Sequence, residues 1–233
     1  DRMEASLTGA SSDDFLSVRL RDQLADWKLA PIHALDLLKA FRLDVTKLRY
    51  ADWDELIDYC TYSAMPVGRF VLDVHGEDKS TWACSDTLCA VLQIINHLQD
   101  CGKDYRALDR VYIPQDSLVA NGAVTEELAA SASSPALLAC LHQLARHAEE
   151  YLDARPPLAD AIADTRLACE VAVIGSLAHR LLALLKRRDP LADKVHLGRG
   201  TLMATMLGAL TKTLARRLMP RAASHRRAQG LRS

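Results

Sequence analysis

Apolar residues along this chain recur at helical spacing, in blocks separated by capping residues, prolines and short polar loops. Residues 1–12 read as the end of a helix running into a Thr-Gly-Ala-Ser-Ser loop, so further chain is expected before Asp1. Ser12 or Asp13 then caps a helix to about Lys28, with Phe15, Leu16, Val18, Leu20 and Leu24 as its apolar positions. The acidic pair Asp13-Asp14 suits a helix start, where the dipole favours negative charge, and is not read as a metal site.

After Ala30-Pro31 a second helix carries Ile32, Leu35, Leu37, Leu38 and Phe41 and continues to about Tyr50. Asp52, with Glu55 three residues on, has capping-box spacing and opens a helix from Trp53 to about Val74, which Pro66 should kink. Gly76 to Ser80 is a polar loop. Ser85 or Asp86 begins a long central helix that must end before Val111-Tyr-Ile-Pro114. A short helix around Glu126 to Ala130 follows. Ser134-Pro135 opens another from Ala136 to about Ala154. The pattern then predicts one helix from Leu158 to about Arg188 and a last one from about Gly200 to Leu218. Seven or eight helices and no convincing strand predict a single all-α domain over 1–233, with a basic tail at 220–233.

Composition agrees with helices: 49% of residues are hydrophobic but only 5% aromatic, and Leu and Ala dominate. A formal net charge of −1 argues against nucleic acid as a partner. Six cysteines lie inside apolar helical patterns without Cys-x-x-Cys spacing, which reads as reduced thiols of a cytoplasmic protein. The apolar runs look too short to span a membrane, and no signal peptide is visible. Arg216, Arg217, Arg221, Arg226, Arg227 and Arg232, with no acidic residue among them, suit a solvated end or a peripheral contact with an anionic inner membrane.

The central helix holds the candidate chemistry. Asn96, Asp100 and Asp104 follow at i, i+4, i+8, each one turn above the last with about 40° of drift. Gln93 and His97 fall on the same side, and Leu88, Val91, Ile94, Ile95 and Leu98 point the other way. Two carboxylates about 6 Å apart along a helix, with an amide carbonyl before them, suit a hard cation that shares its shell with waters and phosphate oxygens. Asn and Asp are poor interior helix residues, and like charges at this spacing repel. A bound Mg²⁺ would offset that cost; the alternative is an amphipathic helix whose wet face happens to carry these residues.

Three segments, in this order, resemble the squalene and phytoene synthases: Asp44-Val-Thr-Lys-Leu-Arg49-Tyr50; Tyr59-Cys-(x)₃-Ala64-(x)₂-Val67-Gly68; and Asn96-His-Leu-Gln-Asp100-Cys-Gly-Lys-Asp104 running on to Arg110-Val-Tyr-Ile-Pro114. The resemblance spans about residues 15–215 and implies an isoprenoid-synthase-type helical bundle, here lacking its N-terminal helices. It implies Mg²⁺ at Asn96, Asp100 and Asp104, a prenyl or presqualene diphosphate held by Arg49, Gln93, Lys103 and Val67, and Tyr59 and Ser63 as catalytic residues. A first aspartate-rich motif of the family is expected before Asp1. Gln99 and Lys103 stand where the family usually has Arg and an acidic residue, and Ser63-Ala64-Met65 replaces its Val-Ala-Gly. Those departures resemble the bacterial hydroxysqualene synthases of hopanoid biosynthesis, which act on presqualene diphosphate, more than the synthases that condense two prenyl diphosphates. A non-catalytic assembly protein on the same fold is the alternative of another class.

Overall fold

The structure is a computed structural model and describes residues 1–218. Among them are eleven α-helices and no strand: α1 (Arg2–Thr8), α2 (Phe15–Asp26), α3 (Ile32–Thr46), α4 (Trp53–Ser63), α5 (Met65–Val74), α6 (Trp82–Leu108), α7 (Gln115–Ala120), α8 (Pro135–Asp153), α9 (Leu158–Ala161), α10 (Thr165–Leu185) and α11 (Arg199–Leu218). The architecture is therefore the all-α bundle that the periodicity predicts. α6, 27 residues and about 40 Å long, is its axis. α4 and α5 pack on it from one side of the sequence, α8 and α10 from the other, and α11 lies along α10.

The packing follows the predicted stripe. Leu88, Val91, Ile94, Ile95 and Leu98 are all buried, in one cluster with Leu56 and Tyr59 of α4, Leu72 of α5, Leu137 and Leu141 of α8, and Leu182 of α10. All six cysteines are free thiols. α2 departs from expectation, because Phe15 and Leu16 are exposed and of its apolar positions only Leu24 is buried. Its cap is Asp14, whose carboxylate accepts from the Ser17 amide at 2.9 Å.

Four helix boundaries also differ. α3 stops at Thr46, and the extended link that follows lies along the segment after α6: Val111 N donates to Leu48 O, Gln115 N to Tyr50 O, and Asp116 N to Ala51 O, at 2.9–3.0 Å. α6 starts earlier than Ser85, at Trp82, after a 3₁₀ turn over Lys79–Thr81 capped by Asp78. The helix expected to kink at Pro66 instead breaks at Ala64, which puts Pro66 in the first turn of α5, where its missing N–H costs nothing. The helix expected over Leu158–Arg188 is two: the Glu77 carboxylate accepts from the amides of Ala163 and Asp164 at 2.7 and 2.8 Å, and Asp164 then caps α10.

Two expectations for the C-terminal part change. α10 is long and apolar enough to cross a membrane by length and composition, contrary to the reading of the apolar runs, but here it packs on α6, α8, α9 and α11. Arg216 pairs with Asp160, and Arg217 donates to the carbonyls of Ala159, Ile162 and Ala163, so these two arginines fasten α11 to the α9–α10 corner. The rest of the basic tail lies outside the described residues.

Gly68 lets α5 approach α6. A Cβ there would meet Ser85 Oγ at 2.4 Å and Cys89 Sγ at 2.5 Å, whereas one at Gly175 would meet nothing within 4 Å. Gly68→Ala therefore costs about 1–3 kcal/mol of overpacking less up to ~1 kcal/mol of helix propensity and lowers the thermal-unfolding midpoint, and Gly175→Ala does not. Equal midpoints for the two variants would contradict the close crossing.

Candidate active site

The C-terminal half of α6 keeps Asn96, Asp100 and Asp104 on one side, away from the buried stripe. Asn96 is exposed and both carboxylates are half-buried. The Asp104 carboxyl is pushed above the usual carboxylate range, first by partial burial and then by the charge on Asp100. Lys103 reaches back to Asp100, Nζ to Oδ1 3.8 Å, and is otherwise exposed. The donor set fits Mg²⁺: hard oxygen ligands, a pair of like charges that Lys103 offsets only in part, and open sides for water and phosphate. Among the described residues no three His, Cys, Asp or Glu side chains converge, so the third protein donor would be the Asn96 amide.

Arg49 stands at the end of this helix. Asp109, the residue that terminates α6, adopts a left-handed conformation with φ 51° and turns its carboxylate and carbonyl onto Arg49. Arg49 Nη2 lies 2.6 Å from Asp109 Oδ1, Nη1 donates to Leu48 O at 2.9 Å and also to Asp109 O, and the guanidinium sits over the Tyr105 ring. A guanidinium predicted to take phosphate oxygens is thus held by a carboxylate that the sequence reading passed over. Gln99 is also engaged, donating to Val195 O and tying α6 to the segment before α11.

The largest difference from the sequence reading is a buried polar network one layer in. His97 does not share the wet side of α6. It is buried, accepts from Gln93 Nε2 at 3.1 Å, and stacks on Tyr112 with ring centroids 3.5 Å apart. Burial pushes its pKa down to about 3, so it is neutral at ordinary pH. Gln93 therefore spends one amide hydrogen on His97. Tyr59 is buried beside Tyr50 and Tyr112 and donates to Asp44 Oδ1 at 2.8 Å; Tyr112 donates to the same oxygen at 3.3 Å. Arg110 Nη1 is 4.0 Å from Asp44 Oδ2. Burial, and then the bond to Asp44, push the Tyr59 phenol upward, so it stays protonated.

Ser63 ends α4 one turn after Tyr59, and its Oγ is buried without a hydrogen-bond partner among the described residues. Val67 is half exposed on α5. The structure thus brings together two groups. One is Asn96, Asp100, Lys103 and Asp104 on α6; the other is Gln93 and Tyr59 within the buried network. Sequence reasoning missed Asp44, Asp109, Arg110 and Tyr112 as partners, although all but Asp109 sit inside the motif segments. A separate cavity of about 720 Å³ lies between α6, the α8–α9 corner, α10 and α11, lined among others by Leu88, Gly175, Thr205 and Lys212. None of the predicted site residues lines it.

Comparison with known proteins identifies the family. A family model described as squalene/phytoene synthase matches residues 1–201. The hydroxysqualene synthase of Rhodopseudomonas palustris is 54% identical over 217 residues, covering 93% of this chain and 74% of the relative. That of Sinorhizobium fredii is 53% identical over 221 residues, covering 95% and 76%. Among solved structures, squalene synthase HpnC from Alicyclobacillus acidocaldarius is similar with a TM-score of 0.70 at 30% identity, over 80% of this chain and 70% of that one. A dehydrosqualene synthase shares the fold, with a TM-score of 0.77 at 17% identity, over 92% and 76%. The chain belongs to the squalene/phytoene synthase family and is an enzyme of that family.

Proposed function

We propose that this enzyme ionises presqualene diphosphate with the help of Mg²⁺ and captures the resulting cation with water, giving hydroxysqualene and diphosphate. The observation that carries this reading is the column of Asn96, Asp100 and Asp104 with Lys103 against Asp100, in a chain more than half identical to proteins named hydroxysqualene synthase.

Asn96, Asp100 and Asp104 would hold Mg²⁺, which when bound supplies positive charge to the departing diphosphate. Lys103, mostly exposed, adds a mobile cation beside them and stands in for the charge absent at Gln99. Arg49 can exchange one anion for another, Asp109 for a phosphate oxygen, because both groups are partly exposed. Gln93 keeps one amide hydrogen beyond its bond to His97 and can offer it to the diphosphate. Half-exposed Val67 provides apolar surface for a prenyl chain. Tyr59, shielded from solvent, and Ser63, with an unspent buried hydroxyl, are suited to hold the single water that a cation in a dry site admits. A lipid-soluble product and the arginines beyond residue 218 support a cytoplasmic protein that sits peripherally at the inner membrane.

Incubating the full-length protein with Mg²⁺ and presqualene diphosphate, without NADPH, should give hydroxysqualene. Turnover of farnesyl diphosphate to a C30 hydrocarbon, with no alcohol from presqualene diphosphate, would move the enzyme to the condensing branch. Asp100→Asn should cut kcat/KM by at least about 100-fold through loss of a metal ligand. The thermal midpoint should stay level or rise slightly, because a like-charge pair is relieved. Full activity in that variant would remove the metal site from α6.

A further inference from the structure

We propose that Asp44 takes up, through Tyr59, the proton that the attacking water loses; the proposal rests on the water-capture reading above. The geometry is a line of groups. Tyr59 donates its only hydrogen to Asp44 Oδ1 at 2.8 Å. Its oxygen is then left as an acceptor, so the phenol cannot protonate the leaving diphosphate but can receive a hydrogen from water. Ser63 Oγ, one turn along α4, is a buried hydroxyl without a partner among the described residues, as is the Tyr50 hydroxyl whose ring lies 5.4 Å from that of Tyr59, so a hydroxyl on this side is free to bind that water.

Asp44 is prepared for this task on its own side. Tyr112 donates to the same Oδ1 at 3.3 Å, and Arg110 faces Oδ2 at 4.0 Å, so Oδ1 is turned toward the phenols. Its side chain is 22% exposed, which gives the proton a way out to solvent after turnover. The neighbouring imidazole, His97, stacks on Tyr112 and spends its Nε2 lone pair on Gln93, so it is already engaged.

The step balances. The C–O bond to diphosphate breaks and its electron pair leaves with the diphosphate. After rearrangement, a lone pair of the water forms the new C–O bond. One water proton passes to the Tyr59 oxygen as the phenol proton passes to Asp44 Oδ1, and Asp44 later releases it to solvent. Asp44 is thus a positioning residue that acts through Tyr59 without touching substrate. With the relay broken, the cation has a slower route to alcohol and loses a proton from carbon to diphosphate, giving an alkene.

The readout is the ratio of hydroxysqualene formed to diphosphate released from presqualene diphosphate and Mg²⁺ by the full-length protein. Tyr59→Phe keeps the ring stack and Asp44→Asn keeps the shape. Each should lower the ratio at least tenfold, with alkene making up the difference, and Asp44→Glu should restore part of it. A ratio unchanged in either folded variant, or a Tyr59→Phe protein that releases no diphosphate, overturns the relay. A purely structural role lowers both products together. Should Asp44→Asn fail to fold, the unaltered protein decides in H₂O/D₂O mixtures: alcohol formation that depends quadratically on deuterium fraction supports two protons in motion, and a linear dependence overturns them. An unaltered protein that forms no alcohol from presqualene diphosphate sinks the proposed function, and the relay with it.

Discussion

Everything in this molecule depends on α6 being two things at once. Along one side it buries Leu88, Val91, Ile94, Ile95 and Leu98 between helices from both ends of the chain. Along the other it keeps Asp100 and Asp104 one turn apart, where burial and then the charge on Asp100 raise the cost of ionising Asp104. Apolar burial is worth about 25 cal/mol per Å², so five buried aliphatic side chains contribute several kcal/mol and far exceed a few tenths of a kcal/mol of like-charge repulsion. The helix can therefore hold its carboxylates in an unfavourable arrangement without fraying. That arrangement is what a divalent cation relieves.

Around this axis the site is braced from its end. The extended link after α3 runs beside the segment after α6, and their backbone bonds bring Arg49 to Asp109 and Asp44 to Tyr112 and Arg110. Residues 44, 59 and 112 come from three different segments, yet one carboxylate oxygen joins them. Burial strengthens such a network and makes its members costly to leave unpaired. The buried hydroxyls of Ser63 and Tyr50, unpaired among the described residues, stand out against that background.

The sequence displayed most of this, but unevenly. The stripe on α6 was readable because a central helix buried against several neighbours has a strict period, and the carboxylate column was readable because Asp is unusual inside a helix. His97 was misplaced, since its angular position is close to Gln93 and only the packing of Tyr112 against it decides that it is buried. The break between α9 and α10 was hidden because its cause is remote: Glu77, more than eighty residues earlier, supplies the acceptors for the amides of Ala163 and Asp164. Pro66 announced an interruption, but a proline fits equally well just inside a new helix, and Gly68 needs the new direction to cross α6 closely. Asp109 was unreadable as Arg49's partner because a left-handed residue with a side chain is uncommon and leaves no periodic signal.

The central claim is that the α6 column holds Mg²⁺ against a diphosphate. Thermal unfolding with Mg²⁺ and inorganic diphosphate, added singly and together, measures it without relying on turnover. A ligand bound only by the folded state adds about 2.7 kcal/mol at a hundred times its Kd. The account predicts that the two together raise the midpoint by several degrees, that neither alone does so to the same extent, and that Asp104→Asn abolishes the gain. An equal rise in that variant, or none in the unaltered protein, would contradict it.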